Sequence, residues 1–225
     1  MKAILANNWF LVPIGLFFAI GLTLVWVMPY GDEILVLNDL RREPWISMFK
    51  FLSWCGETWI WVMVGLLALF FRYRFALLIA MTGLIMPFVF VIKDQVGTDR
   101  PITYFQKNGK SGAVVVVPEE RMNTGQTSFP SGHTMSAFGL SSILALIVGP
   151  KSKKRLLLLA LLAIAVGISR IFLVQHFLVD VLAGALLGMG VSGFVWWLND
   201  RKFFKEKTWL DGRLRISAKK EAKHV

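Results

Sequence analysis

The sequence predicts an all-α membrane protein, a six-transmembrane-helix bundle with an extramembrane loop between spans three and four. Three observations carry that prediction. Of the 225 residues, 56% are hydrophobic and only 17% charged, with mean hydropathy +0.60. A soluble domain of this length carries more charge and fewer long apolar runs. Six segments approach the about 20 apolar residues that cross a bilayer. Lys and Arg fall mainly between these segments and in the tail.

In chain order, the first expected span is Trp9–Met28, behind Lys2. Its apolar run exceeds that of a typical signal peptide, and no small-residue cleavage pattern follows at Pro29-Tyr30-Gly31-Asp32. It is therefore read as an uncleaved span. Between Gly31 and Trp54, Trp45-Ile46, Phe49, Phe51-Leu52 and Trp54 mix with Arg41, Arg42, Glu43 and Lys50. That mixture suits an interfacial helix and an ordinary loop about equally. Spans two and three, Glu57–Phe71 and Phe75–Ile92, are joined by a tight hairpin at Arg72-Tyr73-Arg74, and the second is short. The loop Ile102–Phe129 follows. Its Val114–Val117 run reads as a strand or a membrane-dipping turn, and Glu119, Glu120 and Arg121 as solvated. The remaining spans are His133–Val148, Leu156–Val174 and Phe177–Leu198. Residues 1–200 form a single domain with no internal repeat. Residues 201–225 form a basic cytoplasmic tail, expected to lie solvated against anionic headgroups.

The net charge of +11 raises nucleic acid as a partner, but topology explains it better. With the N-terminus inside, sixteen of the 25 Lys and Arg residues fall on the cytoplasmic side. The positive-inside rule then places both termini in the cytoplasm. A single Cys55 excludes an intrachain disulfide and a cysteine-based metal cluster.

Three polar clusters fall on the outer side in that topology. The first is Ser128-Phe129-Pro130-Ser131-Gly132-His133, which leads into a long apolar helix. A loop-to-helix junction presents unpaired N–H groups and the positive end of a helix dipole, a natural anion site. The second is Lys93 with Arg100-Pro101. The third is Ser169-Arg170 with His176 and Asp180. Singly, each cation at a span end reads as a topological anchor. Together, on one side and beside two histidines, they fit a phosphate: arginines bidentate, lysine as a point charge. His176 and Asp180 share a helical face four residues apart. A carboxylate on one imidazole nitrogen frees the other as a nucleophile or base. His133 suits a general acid. Ser131 and the amides near Gly132 would steady phosphoryl oxygens in flight. Ser131 as a hydrolase nucleophile lacks the usual elbow context. His133, His176 and Asp180 could also make a two-His-one-carboxylate metal set, but Lys93, Arg100 and Arg170 would repel a cation. No metal and no cofactor is expected. Asp94 and Asp99 are read as solvated or locally paired, and His224 as a tail residue without a role.

These residues resemble the type-2 phosphatidic acid phosphatase family, which includes bacterial membrane lipid phosphatases and soluble vanadium haloperoxidases. Its signatures K-x6-R-P, P-S-G-H and S-R-x5-H-x3-D appear in order. They read Lys93-x6-Arg100-Pro101, Pro130-Ser131-Gly132-His133 and Ser169-Arg170-x5-His176-x3-Asp180. The resemblance implies His176 as nucleophile, Asp180 as its orienter and His133 as general acid. It implies phosphate binding by Lys93, Arg100, Ser131, Gly132 and Arg170, and metal-free hydrolysis through a phosphohistidine. The implied partner is a lipid phosphate at the bilayer: phosphatidic acid, phosphatidylglycerol phosphate, undecaprenyl pyrophosphate or a lipid A phosphate. With the topology, this implies a bacterial inner-membrane protein whose site faces the periplasm or exterior. A lipid phosphotransferase would use the same site. A transporter or flippase would need charges near the bilayer midplane and, often, inverted repeats.

Overall fold

The computed structural model describes residues 7–215. Lys2 and the tail end with His224 lie outside them. All regular structure among the described residues is helical. The main helices are α1 (Asn8–Val27), α2 (Asp32–Leu35), α3 (Trp45–Trp54), α4 (Thr58–Leu69), α5 (Tyr73–Ile85) and α6 (Val89–Val96). They continue as α7 (Pro101–Lys107), α8 (Gly132–Val148), α9 (Lys153–Phe172) and α10 (Leu178–Asn199). Four stretches are long and apolar enough to cross a membrane: Asn8–Val27, Tyr73–Lys107, Lys153–Phe172 and Leu178–Asn199. A fifth exists if α3 and α4, which meet at 57°, form one broken span. Of the six expected spans, the second corresponds to α4, with 12 residues, and the fourth to α8, with 17. Taken alone, both are short of a full crossing.

The core is a pair of helices packed backbone to backbone. A Cβ added to Gly184 would lie 2.4 Å from the carbonyl oxygen of Ser131, and one on Gly188 would lie 2.3 Å from that of Met135. One turn on, Ser192 Oγ donates to the Gly139 carbonyl at 2.7 Å. Positions 184, 188 and 192 therefore step alongside 131, 135 and 139. Helices α8 and α10 run parallel, and small residues permit the close approach. Both N-termini consequently open at the same end of the bundle.

Helix α9 runs back between them and ends in the turn Leu173–Phe177, all of it buried. The Arg170 carbonyl accepts from the amides of Gln175 (2.9 Å) and His176 (3.2 Å). Val174 sits at φ 57°, a left-handed conformation that costs a β-branched residue. Arg41 anchors the α2–α3 region on this turn. It donates to the carbonyls of Ile34 and Phe172, both at 2.8 Å, and Phe49 stacks on Phe172 with ring centroids 4.1 Å apart. Helix α3 turns Ile46 and Ser53 inward and leaves Trp45, Phe51 and Trp54 exposed.

Val114–Val117 forms no strand. Val114 and Val117 are buried, while Val115 and Val116 face outward. Part of the tail departs from the expected solvated segment. The Gly212 carbonyl accepts from Tyr73 N–H and the Leu69 carbonyl from Leu214 N–H, each at 2.9 Å. Asp211 pairs with Arg74 at 3.2 Å, and Leu210 is buried. Two backbone hydrogen bonds and the Arg74–Asp211 pair thus hold residues 211–214 on the α4–α5 hairpin.

Candidate active site

A cavity of about 310 Å³ opens where α8 and α10 begin. Lys93, Arg100, Gly132, His133, Arg170 and His176 all line it. Its other wall is apolar, made by Trp61, Gly83, Met86, Pro87, Val89 and Phe90. Phe90 is also 64% exposed on the flank of the bundle, so the apolar wall reaches the outer surface.

His176 sits at the end of the buried turn after α9. Its Nε2 lies 3.1 Å from Arg100 Nη1. A guanidinium only donates, so Nε2 accepts and the ring proton resides on Nδ1. Nδ1 faces Asp180 Oδ2 at 3.5 Å, longer than a formed hydrogen bond. Neither Nδ1 nor Asp180 Oδ1 has another partner. Burial first, and then the nearby Arg100, Arg170 and Lys93, hold the imidazole well below its ordinary range. It is a neutral base with its lone pair directed at a cation.

Asp180 lies behind this ring, in the first turn of α10. Its Oδ2 accepts from Ser128 Oγ at 2.5 Å and from the Phe177 N–H at 2.9 Å. The second bond caps the helix start. One carboxylate thereby ties the P-S-G-H loop, the His176 turn and α10 together.

The cations are held by local acceptors. Lys93 Nζ donates to the Thr127 carbonyl at 2.7 Å. Arg100 donates to the Gln175 carbonyl at 2.9 Å and to Thr127 Oγ1 at 3.3 Å. Arg170 Nη1 donates to Ser53 Oγ, while its Nε has no partner. Of the flanking acids, Asp99 pairs with Lys107 at 2.9 Å. Three fixed cations and the Gly132 turn at the α8 N-terminus thus converge on one anion-sized space.

Ser131 is placed differently from the residues around it. It is fully buried and caps α8, with Oγ 2.8 Å from Thr134 Oγ1. Its N–H donates to the Asp180 carbonyl at 3.0 Å. Ser131 and Asp180 stand behind the cavity, whereas the other six expected residues face it. His133, His176 and Asp180 do not form a metal-ligand cluster; no group of three or more His, Cys, Asp and Glu suited to a metal occurs among the described residues.

Four residues, Ser53, Thr127, Gln175 and Glu57, entered the site without being singled out in the sequence, and Ser128 of the expected loop joined it in an unassigned role. Ser53 holds Arg170, Thr127 holds Lys93 and Arg100, and Ser128 holds Asp180. Gln175 accepts from Asn123 at 2.6 Å and donates to the Arg121 carbonyl at 3.0 Å, fixing the loop over the cavity. Glu57 Oε1 lies 2.9 Å from His133 Nε2. Only Glu57 carried a readable signal, a carboxylate at the head of an apolar helix.

The bacitracin transport permease protein BcrC of Bacillus licheniformis is 46% identical over 77 residues, 34% of this chain and 36% of that protein. Phosphatidylglycerophosphatase B of Bacillus subtilis is 36% identical over 88 residues, 36% of this chain and 43% of that protein. The matched segments thus span less than half of either relative. The crystal structure of Aquifex aeolicus LpxE superposes with a TM-score of 0.63 at 20% identity, covering 75% of this chain and 94% of that one, a likeness of fold. The PAP2 superfamily profile matches residues 71–204, more than half of the sequence and every motif residue of the cavity, and the chain belongs to that superfamily.

Proposed function

We propose that the protein is a membrane lipid phosphatase that works through a phosphohistidine on His176, without a metal. The observation that carries this reading is the state of His176. It is a neutral imidazole whose Nε2 lone pair faces Arg100 and whose Nδ1 proton faces Asp180. An incoming phosphate offers Arg100 better acceptors, and transfer of the guanidinium to its oxygens frees Nε2. Lys93 and Arg170 balance the remaining charge.

Nε2 then attacks phosphorus. The bond to the leaving oxygen breaks with its electron pair, and His133 delivers a proton to that oxygen. The positive charge gained by His176 is met by Asp180 as the 3.5 Å gap closes. In the second half, His133 takes a proton from water and the resulting hydroxide attacks phosphorus. The P–N bond breaks, its pair returns to Nε2, and phosphate leaves.

The apolar wall at Trp61, Met86 and Phe90 suits a substrate whose tail remains in lipid while its phosphate reaches the cations. The names of the relatives support a lipid phosphate: phosphatidylglycerophosphatase B, and a lipid A 1-phosphatase in Porphyromonas gingivalis. Within that class we assign a phosphomonoester or pyrophosphate headgroup, with undecaprenyl pyrophosphate among the candidates. We also assign a six-span layout in a bacterial inner membrane, with both termini cytoplasmic and the site outward. The transport named for the BcrC relative would distribute charges along a path, whereas Lys93, Arg100, Arg170 and His176 share one cavity.

The test is phosphate release by the purified chain in detergent with EDTA, from lipid phosphates and pyrophosphates. The parent should release phosphate and His176→Ala should not, with a phosphohistidine trapped only in the parent. Release that EDTA abolishes, or that survives in His176→Ala, would overturn the mechanism.

A further inference from the structure

We propose that Glu57 is the positioning residue of the acid–base half of the site. It holds the Nε2 proton of His133, so that the other nitrogen, Nδ1, both gives and takes the reaction proton. This inference rests on the phosphatase reading above.

The geometry comes from an unexpected wall. Ser53, Glu57 and Trp61 follow one another at four-residue intervals. Each touches a different part of the core: Ser53 Oγ accepts from Arg170, Glu57 Oε1 meets His133 Nε2, and Trp61 Nε1 donates to Ser136 Oγ at 2.7 Å. His133 and Ser136 are themselves one turn apart on α8, so Glu57 and Trp61 are adjacent rungs on the same face. The chain breaks by 57° between α3 and α4, yet the face continues. Gly56 is what permits this. A Cβ there would lie 2.9 Å from Val166 Cγ1 and 3.2 Å from the His133 carbonyl oxygen. A larger residue would push Glu57 away from the ring.

The chemistry follows from the single contact. A carboxylate can only accept when ionised, so the imidazole proton sits on Nε2. The titratable and charged groups that act on His133 are Glu57, Arg170 and Arg100, with His176 in the same cavity. Glu57 is the anion among them. Its carboxylate supports the doubly protonated imidazolium that must donate to the leaving oxygen. After Nδ1 has given up its proton, Glu57 still holds Nε2–H. The vacated Nδ1 lone pair is then already in place to deprotonate water. One nitrogen serves both half-reactions, and the ring need not flip between them.

The test compares Glu57→Ala and Glu57→Gln with the parent in detergent on two substrates. One is a lipid alkyl phosphate, whose leaving oxygen needs a proton. The other is p-nitrophenyl phosphate, whose leaving group departs without one, so its cleavage reports the attack by His176. The proposal expects kcat on the alkyl phosphate to fall by about 10- to 100-fold in Glu57→Ala, within the range of general acid catalysis. Cleavage of p-nitrophenyl phosphate in the first turnover should change by less than about threefold. Glu57→Gln, which keeps an acceptor oxygen but not the charge, should fall between. The alkaline limb of the kcat profile, where His133 loses its proton, should move to lower pH in both variants. Equal losses on both substrates, or an unmoved profile with undiminished alkyl phosphate turnover, would overturn it. If the parent cleaves neither substrate, or His176→Ala still cleaves them, the phosphatase reading fails instead.

Discussion

The two sides of the cavity are held in place by opposite means. On one side, α8 and α10 touch through their backbones at Gly184 and Gly188, and Asp180 binds three chain segments at once. On the other, α3 and α4 pack through the side chains of Ile46, Phe49 and Trp61 and reach the polar groups of the site by one contact each from Ser53, Glu57 and Trp61. The first side carries the proposed nucleophile, His176, whose attack would tolerate little misplacement. The second carries Glu57, the partner of the proposed acid–base imidazole, where one hydrogen bond adjusts more cheaply than a packed backbone. Rigidity is concentrated where the proposed bond to phosphorus would form.

That contrast can be broken by substitution, and the largest expected effect is on the rigid side. His176→Ala should lower phosphate release by about 10⁴-fold or more, as for loss of a nucleophile, with the melting temperature retained; a residual rate above a hundredth of the parent would argue that another residue attacks. Next comes Gly188→Val. Its Cβ would meet the Met135 carbonyl at 2.3 Å, a backbone atom that cannot swing aside. Overpacking should cost about 3 kcal/mol in thermal or denaturant unfolding, and the displaced site should lose about 10²-fold in kcat. A normal melting curve would mean that the helices can separate without penalty.

A pH titration of stability probes the same side more gently. The His176 imidazole is held below its ordinary value of 6.5 by burial and by its cations. The unfolded chain therefore binds a proton that the folded one refuses, and stability falls as pH drops below that value. It is fully present above it. The unfolding midpoint in detergent should decline from pH 7 towards pH 5, and His176→Gln should flatten the decline. The smallest effect belongs to the adjustable side. Trp61→Phe removes one hydrogen bond to Ser136, worth about 1 kcal/mol, and should reduce activity less than about tenfold with both substrates. A larger loss there would show that the wall is as rigid as the core.

The legibility of the chain divides along nearly the same line. Spans written as Trp9–Met28, Leu156–Val174 and Phe177–Leu198 match α1, α9 and α10 within a few residues, because continuous apolar runs of that length are unambiguous. The expected spans at α4 and α8 proved shorter than a crossing. Gly56 and Pro130 lie just ahead of these helices, so neither apolar run is extended on its N-terminal side. Lys93, Arg100, Gly132, His133, Arg170 and His176 were nameable because their spacing is ordered, and they gather at one cavity. Ser131 was nameable too, but its hydroxyl is turned into the cap of α8. Glu57 and Ser53 lie 76 and 117 positions from the residues they touch. Their roles depend on which face of a broken helix meets the bundle, and no local pattern states that.

The matched steps of α8 and α10 act as a ruler with marks only at whole turns. Sliding one helix along the other by less than a turn drives a carbonyl into an α-carbon. The next permitted position is about 5.4 Å away, too far for Ser131 N–H to reach the Asp180 carbonyl. Assembly of the proposed nucleophile is therefore a discrete event. On warming, the population of competent molecules should shrink while each survivor keeps its full turnover.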